Sequence, residues 1–496
     1  MDGLQNIVFG GGLPGFPGGI RTWEDWQAFA KAVQTAGDPH ALDFKAGLTG
    51  VPAIRLESIE ATLRSVVERE ESFRLFRRLQ PVPAYSSVAE WATQVGIGGD
   101  LADAFHSETA DIRGDAGQYK RNVLRVKYLM TRAEITIAAL QQRTILGGGD
   151  DLKARENVNA TLRILRALEW ALFQGDEEVV PTQFNGIRAW LAREFPDHIF
   201  DLRGSSDTEA LYSAIYEAFG RTIGPDGGFG KITDVYLSPT VQNDLDLYLA
   251  PQWRVPLSEN PRAIEYGAPV VGIRTSYGDV ATVQDVWIED PNAAHLTTPA
   301  EVRTRGRISP SAPGAPGLTV SPVGSDPASR FEAGHAGTYY YAVAALGEGG
   351  EGPLSSIEAV TVAGGGGAEL TITPPTGYGQ TGYAIYRSTR NPATAPTPAD
   401  LRLVTRIPAG SDPTQPVVWR DLNHEIPGSA TVYLLDLSPE AIDWTQLMPM
   451  IQYPLAPVKA TVPWAVLLFG ALKLGIPQRH WVVKNYLPKA ARWKPF

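Results

Sequence analysis

One break in style constrains this chain more than any other feature. Residues 305–327, RGRISPSAPGAPGLTVSPVGSDP, are dense in Pro, Gly and Ser, and from there to about Asn423 every segment reads as a short strand punctuated by Gly and Pro. On either side of that block, helical and strand patterns mix without regular βαβ alternation, which predicts an α+β host. The all-β block therefore reads as an insertion, with DVWIED before it and TVYLLDL after it as consecutive strands of one host domain. Inside it, GTYYYAVAALGEGGEGPLSSIEAVTV, 337–362, reads as strand, glycine turn and second strand.

The host begins with a glycine-rich, irregular stretch over 1–50, where Trp23, Trp26, Ala30 and Val33 share one helical face. Residues 55–79 place Ile59, Leu63, Val66, Phe73 and Phe76 near helical spacing among many charges, which predicts a surface helix with one packed side. From Pro81 to Thr131 the pattern is extended and interrupted by glycines. Leu124, Val126 and Tyr128 alternate there with Arg125 and Lys127, the period of a strand with one apolar face. Two strands joined by a long polar, glycine-containing segment predict a projecting hairpin. GGGDDLKARENVNATLRILRALEWALFQGD then predicts a long helix, with Asp150 and Asp151 suited to the dipole at its start and Gly175 past its end. Its expected buried stripe is Val158, Leu162, Leu165, Leu168 and Leu172. Downstream, Ser238 is placed to cap a helix that has Pro239 in its first turn and buries Val241, Leu245 and Leu249. GAPVVGIRTSYGDVATVQDVWI reads as two strands joined at Tyr277, Gly278 and Asp279.

Composition removes several function classes. The 496 residues include no cysteine, so thiolate chemistry and disulfides are excluded, and a reducing compartment is the natural expectation. The start, MDGLQNIVFGGGLPGF, lacks the layout of a secretory signal. The apolar run WAVLLFGAL, 464–472, is shorter than the roughly 20 residues of a membrane span, so a soluble chain is expected. A net charge of −10 argues against gripping nucleic acid through a basic face, though not against enclosing it.

No motif for catalysis is complete. GPDGGFGKI, 224–232, resembles a phosphate loop, but Pro225 stands at the first glycine position and Ile232 follows Lys231, so a glycine turn before a strand is the better reading. RGD at 113–115 reads as coincidence, and the seven histidines lack metal-ligand spacing. His480 reads as a packed histidine, and Glu177 and Glu178 as solvated carboxylates. No cofactor is expected, and no enzymatic activity.

Tyr339, Tyr341, Val343 and Ala345, with GYAIYRS at 382–388 and VVWRDLN, resemble a bacterial or phage immunoglobulin-like domain of the fibronectin type III sort. The host resembles major capsid proteins of tailed bacteriophages with the Hong Kong 97-type fold. The resemblance rests on the order of the arm, the charged helix, the hairpin SSVAEWATQ to YKRNVLRVKYL, the helix ending ALFQGD, then VYLSPTVQNDL, TSYGDVATVQDVWI, VYLLDL and FGALKLGIPQRHWVVKNYL.

That resemblance implies an N-terminal arm and first helix over 1–79, an extended loop over 80–132, and peripheral and axial domains over 133–304 that 428–496 complete, with the inserted domain at 305–427. It implies copies of the chain in hexamers and pentamers, forming an icosahedral shell around double-stranded DNA, assembled in the host cytoplasm and carried in the virion. Portal, scaffold and decoration proteins are the implied partners, with no membrane. Contacts between copies are expected at Trp91, Phe105, Glu108, Tyr119, Arg121, Arg125 and Lys127 of the extended loop. Lys120 and Lys127 lie where the type member crosslinks, but read as solvated strand lysines. The insertion is expected to hang outward on a stalk made of 308–317 and 423–429. An encapsulin-like compartment and a surface adhesin or carbohydrate-active protein with a fibronectin-like module are the alternatives.

Overall fold

The computed structural model describes residues 72–99, 105–109, 116–141, 149–249, 272–275, 277–288, 311–377, 379–491 and 493–496. All of them fall within one compact unit, residues 66–142 and 149–496. The arm over 1–50, Ile59, Leu63 and Val66 of the first helix, and the RGD tripeptide lie outside the described residues.

The strongest helical pattern forms the longest helix. Helix α2, Gly149–Gln174, follows a short helix α1, Ile137–Gln141, and its 26 residues span about 39 Å at 1.5 Å per residue. It ends where Gly175 approaches so closely that a Cβ there would lie 2.5 Å from the Phe184 carbonyl oxygen. The buried stripe is Ala160, Ile164, Leu168 and Leu172, while Val158 is exposed and Leu162 and Leu165 are only half-buried. The expected stripe was thus rotated: the small Ala160 faces the sheet, and the larger Val158 faces outward.

That stripe lies on a four-stranded sheet, order β1-β18-β19-β4, made of β1 Pro81–Pro83, β4 Lys127–Thr136, β18 Ile442–Pro454 and β19 Thr461–Leu474. Trp464, Val466 and Leu468 of β19 share its core with Ile164, Leu168 and Leu172. The run WAVLLFGAL is therefore the middle of a buried strand, and among the described residues no helix is long and apolar enough to cross a membrane.

A second sheet has six strands, in the order β5-β20-β17-β6-β8-β7. Its strands are β5 Ile199–Asp201, β6 Asp234–Leu237, β7 Gly272–Thr275, β8 Gly278–Gln284, β17 Ala430–Leu435 and β20 Trp481–Tyr486. Helices α4, Thr208–Ile223, and α5, Pro239–Leu249, share its second core, while the shorter α3, Ile187–Glu194, packs near α2. The β7–β8 turn falls at Gly278, whose φ of +132° favours glycine. Ser238 precedes Pro239, and Val241, Leu245 and Leu249 are buried as their spacing predicts.

The block described from residue 311 is built of strands, with short 3-10 turns at Ala333–His335 and Pro398–Asp400. One sheet runs β11-β10-β14-β15, with β12 also on β10; the other runs β16-β13-β9, every pair antiparallel. The strands are β9 Gly317–Val323, β10 Gly337–Gly347, β11 Gly350–Leu354, β12 Glu358–Val362, β13 Gly367–Thr373, β14 Gly382–Arg387, β15 Arg402–Pro408 and β16 Val417–Asp421. Tyr339, Tyr341 and Val343 from one sheet and Leu370 and Ile372 from the other fill a common core. Over 337–362 the expected strand, glycine turn and second strand are present, but the second part divides into two strands, β11 and β12, both paired with β10.

Three expectations about connection need correction. Residues 72–79 are not α-helix: only the 3-10 turn Phe76–Arg78 forms, and Phe73, Leu75 and Leu79 are all buried, which no single helical face could achieve. DVWIED is not a strand beside TVYLLDL, because β8 ends at Gln284 and β6 lies between β8 and β17. Nor is 423–429 a free stalk, since Asn423, Ile426 and Ser429 are buried.

Candidate assembly surface

Strands β2, Val88–Gly96, and β3, Gln118–Arg125, form an isolated antiparallel hairpin with Trp91 opposite Asn122 and Ala92 opposite Arg121. Alternation divides its side chains between two faces. The inner face rests on this chain itself. Trp91 approaches Trp190 at 6.4 Å and lies under the Lys473 ammonium at 5.6 Å. Thr93 Oγ1 donates to the Gly475 carbonyl at 3.3 Å, and Lys120 pairs with Glu194 at 3.0 Å. The expectation that this hairpin lacks a partner within its own domain is thus wrong for one face.

The outer face is open. Val88, Tyr119, Val123 and Arg125 are exposed, Tyr119 by 71%, and Arg121 pairs across the strands with Glu90 in solvent. Phe105 and Glu108, toward the tip, are exposed as well. Five of the seven expected contact residues, Phe105, Glu108, Tyr119, Arg121 and Arg125, are therefore available to a neighbour. Trp91 and Lys127 are committed within the chain.

Lys127 shows why alternation failed there. The chain breaks at Val126, between β3 and β4, so Val126 and Lys127 are buried in succession and Tyr128 turns outward. The Lys127 ammonium donates to Glu177 at 2.8 Å and to the Pro181 carbonyl at 2.6 Å. Neither it nor Glu177 is the solvated group expected from sequence. The motif GPDGGFGKI does form a turn, with positive φ at Gly228 and Phe229, ahead of β6. His480 is fully buried: the Asp436 N–H donates to Nδ1 and Nε2 faces the Ala441 carbonyl, and burial holds its pKa down at about 4.

Sequence reasoning missed a buried acidic junction. Glu169, on the side of α2 turned to residues 74–76, accepts the backbone N–H groups of Arg74, Leu75 and Phe76 at 2.9, 2.6 and 3.0 Å. Asp285, just past β8, accepts the Trp287 N–H at 2.7 Å, and its buried carboxyl faces that of Glu169. Burial raises both carboxyls, Asp285 to about 6, and the Asp285 charge further raises Glu169. Nearby, Arg78 pairs with Asp234. One acidic residue in the otherwise apolar ALEWALF was the available signal.

The β block is docked along the body. Val179 and Val180, after α2, enter a core with Ala342, Leu346, Ala384 and Tyr386. Gly382 permits this approach, since a Cβ there would meet Val179 Cγ1 at 2.6 Å. Burying two valines stabilises the contact by roughly 1.5–3 kcal/mol each. Where the chain leaves the block, Ile426 N–H donates to Asn485 Oδ1 at 3.1 Å, and Glu425 pairs with Arg188 and with Lys484. Burial would raise the Glu425 pKa, but those two cations hold it below the usual range. Arg330 pairs with Asp201, and the Arg390 N–H donates to the Pro495 carbonyl at 2.9 Å. Inside the block, Arg387 is fully buried and donates to Asp421 at 2.7 Å and Asn423 at 2.9 Å.

No family model matches this sequence. The chain is 25% identical over 459 residues to a protein of Enterococcus phage phiEF24C, covering 88% of this chain and 90% of that one. It is 22% identical over 459 residues to the major capsid protein of Staphylococcus phage K, covering 87% and 90%. Among solved structures, the capsid of a native GTA particle overlaps 90% of this chain and 99% of its own, at 8% identity and a TM-score of 0.44, too low to carry an argument.

Proposed function

We propose that this chain is the major capsid protein of a tailed bacteriophage, with the Hong Kong 97-type fold, and that it assembles into an icosahedral shell enclosing double-stranded DNA. The observation that carries the reading is similarity to a phage major capsid protein over nearly nine-tenths of both chains. The role is structural, not enzymatic.

The open face of the β2–β3 hairpin fits that role. A strand pair whose inner face is anchored by Trp91 and whose outer face presents Tyr119 and Val123 leaves apolar area that a second copy can cover. In this reading the hairpin is the extended loop, α2 the spine helix, and the six-stranded sheet with α4 and α5 the axial domain. The β block is an immunoglobulin-like insertion on the outer surface, because domains on the inner wall compete with DNA for space. Copies form hexamers and pentamers in the host cytoplasm, with a portal and, where used, scaffold and decoration proteins.

Electron microscopy of the purified chain, expressed alone and with the scaffold protein of the same phage, tests this. Closed shells of uniform diameter with fivefold and sixfold clusters are expected. A chain that stays monomeric at high concentration in both preparations overturns it.

A further inference from the structure

The docking of the β block on α2 leaves a half-open pocket of about 530 Å³, within the size range of small-molecule sites. Its walls are α2, Trp287, the β10–β11 turn and β15. Four guanidiniums, Arg163, Arg166, Arg402 and Arg406, line it against two carboxylates, Glu348 and Glu351. In a chain whose net charge is −10, this is a local surplus of positive charge.

Two of those arginines lie over indole rings. Arg406 lies over the Trp170 ring at 4.3 Å, and Arg166 lies over the Trp287 ring at 5.6 Å. A cation held over a ring face by the ring's quadrupole can still donate from its N–H groups, and in Arg406 one of these is unused. The Arg406 Nε is buried and makes no hydrogen bond. The nearby Glu351 carboxylate accepts the Tyr386 hydroxyl at 2.6 Å and makes no hydrogen bond to the Arg406 Nε. A charged donor fork this confined, with no acceptor for its Nε, leaves a hydrogen bond to be made by whatever enters. Val180, Leu346 and Leu403 supply apolar wall beside it.

We infer that this cavity is an oxyanion site, taking a carboxylate carried on a small planar or apolar body, with the Arg406 edge as its bidentate partner. The site lies within one copy of the chain and does not depend on the capsid reading. The carboxylate comes either from a free small molecule or from an acidic side chain of a neighbouring copy, and the two sources are separable by experiment.

The test is calorimetric titration of isophthalate and of inorganic phosphate into the full-length, unassembled chain. Saturable isophthalate binding with a Kd of about 1 mM or tighter is expected, with weaker binding of phosphate, which lacks the planar body. Arg406→Gln should weaken isophthalate at least about tenfold, the loss of one charge-assisted bidentate contact. Arg406→Lys, which keeps the charge and loses the fork, should fall between; it also serves if the Gln variant does not fold. Absence of saturable binding to the folded wild type, or affinities unchanged within about twofold in both variants, overturns the proposal. Repeating the titration on assembled particles distinguishes the sources: binding retained indicates a free ligand, and binding lost indicates a neighbour's carboxylate seated in the cavity.

Discussion

The Phe496 ring stacks on His335 at 3.8 Å, with 14° between their planes, so the last residues of the chain hold the β block against the body. Trp493 extends the contact: its Nε1 donates to the Asp400 carbonyl at 3.1 Å, and Arg402 lies over its ring at 5.7 Å. Deleting residues 493–496 should therefore loosen the block without unfolding it. Faster hydrogen exchange around His335 and Asp400, and a stability loss of about 1–3 kcal/mol by denaturant titration, are expected from one lost ring stack and partial loss of buried aromatic area. Unchanged exchange there counts against a latch.

Glu169 and Asp285 make stability depend on pH. Their native pKa values lie above the unfolded ones, Asp285 at about 6 against 3.8, so the native state holds proton that the unfolded chain has released. The Asp285 contribution is full below about pH 4 and is lost as pH rises through about 6, and that of Glu169, whose pKa is also raised, is likewise lost with rising pH, by the linkage between proton binding and folding. Asp285→Asn replaces one of two facing carboxyls by an amide that can donate to Glu169 without titrating. It should flatten the decline between pH 4 and 8 and raise stability at pH 8 by about 1–2 kcal/mol, a shift of one unit being about 1.4. Parallel wild-type and variant curves across that range would falsify this.

The two faces of the β2–β3 hairpin should separate folding from assembly. Reversing charge at Arg121 and Arg125 touches only the open face, so the isolated chain should keep its melting temperature while shell yield falls. Trp91→Ala removes the anchor of the inner face and should destabilise the isolated chain by about 2–4 kcal/mol, the range for truncating a large aromatic that is not fully buried. Shells at wild-type yield from the charge-reversed variant would count against assembly through this surface.

Replacing residues 309–426 by a short Gly/Ser linker should cost the body stability, because Val179, Val180 and the Trp170 ring lose their cover. A folded body with enhanced binding of a hydrophobic dye is the expected result. A body as stable as the intact chain, binding no additional dye, would mean that the docking contributes nothing to it.

Sequence periodicity alone determined the local elements of this protein: the 149–174 helix and its stop at Gly175, the Ser238–Pro239 helix start, the Gly278 hairpin turn, and the all-β character after 311. Spacing within one segment reports which residues can share a face, and for these elements that was sufficient. What covers each face was decided only by tertiary structure. The rotation of the α2 stripe toward Ala160, the burial of Lys127 against Glu177, and the burial of Phe73, Leu75 and Leu79 around a single 3-10 turn all depend on strands far away in the chain. So does the docking of the β block, which from its Pro- and Gly-rich flank reads as a tethered knob. The contacts that hold it come from Val179, Arg188, Asn485 and Phe496, residues whose own neighbours in sequence carry no sign of it. Burial and ion pairing are properties of meeting surfaces, and a linear pattern describes only one surface at a time.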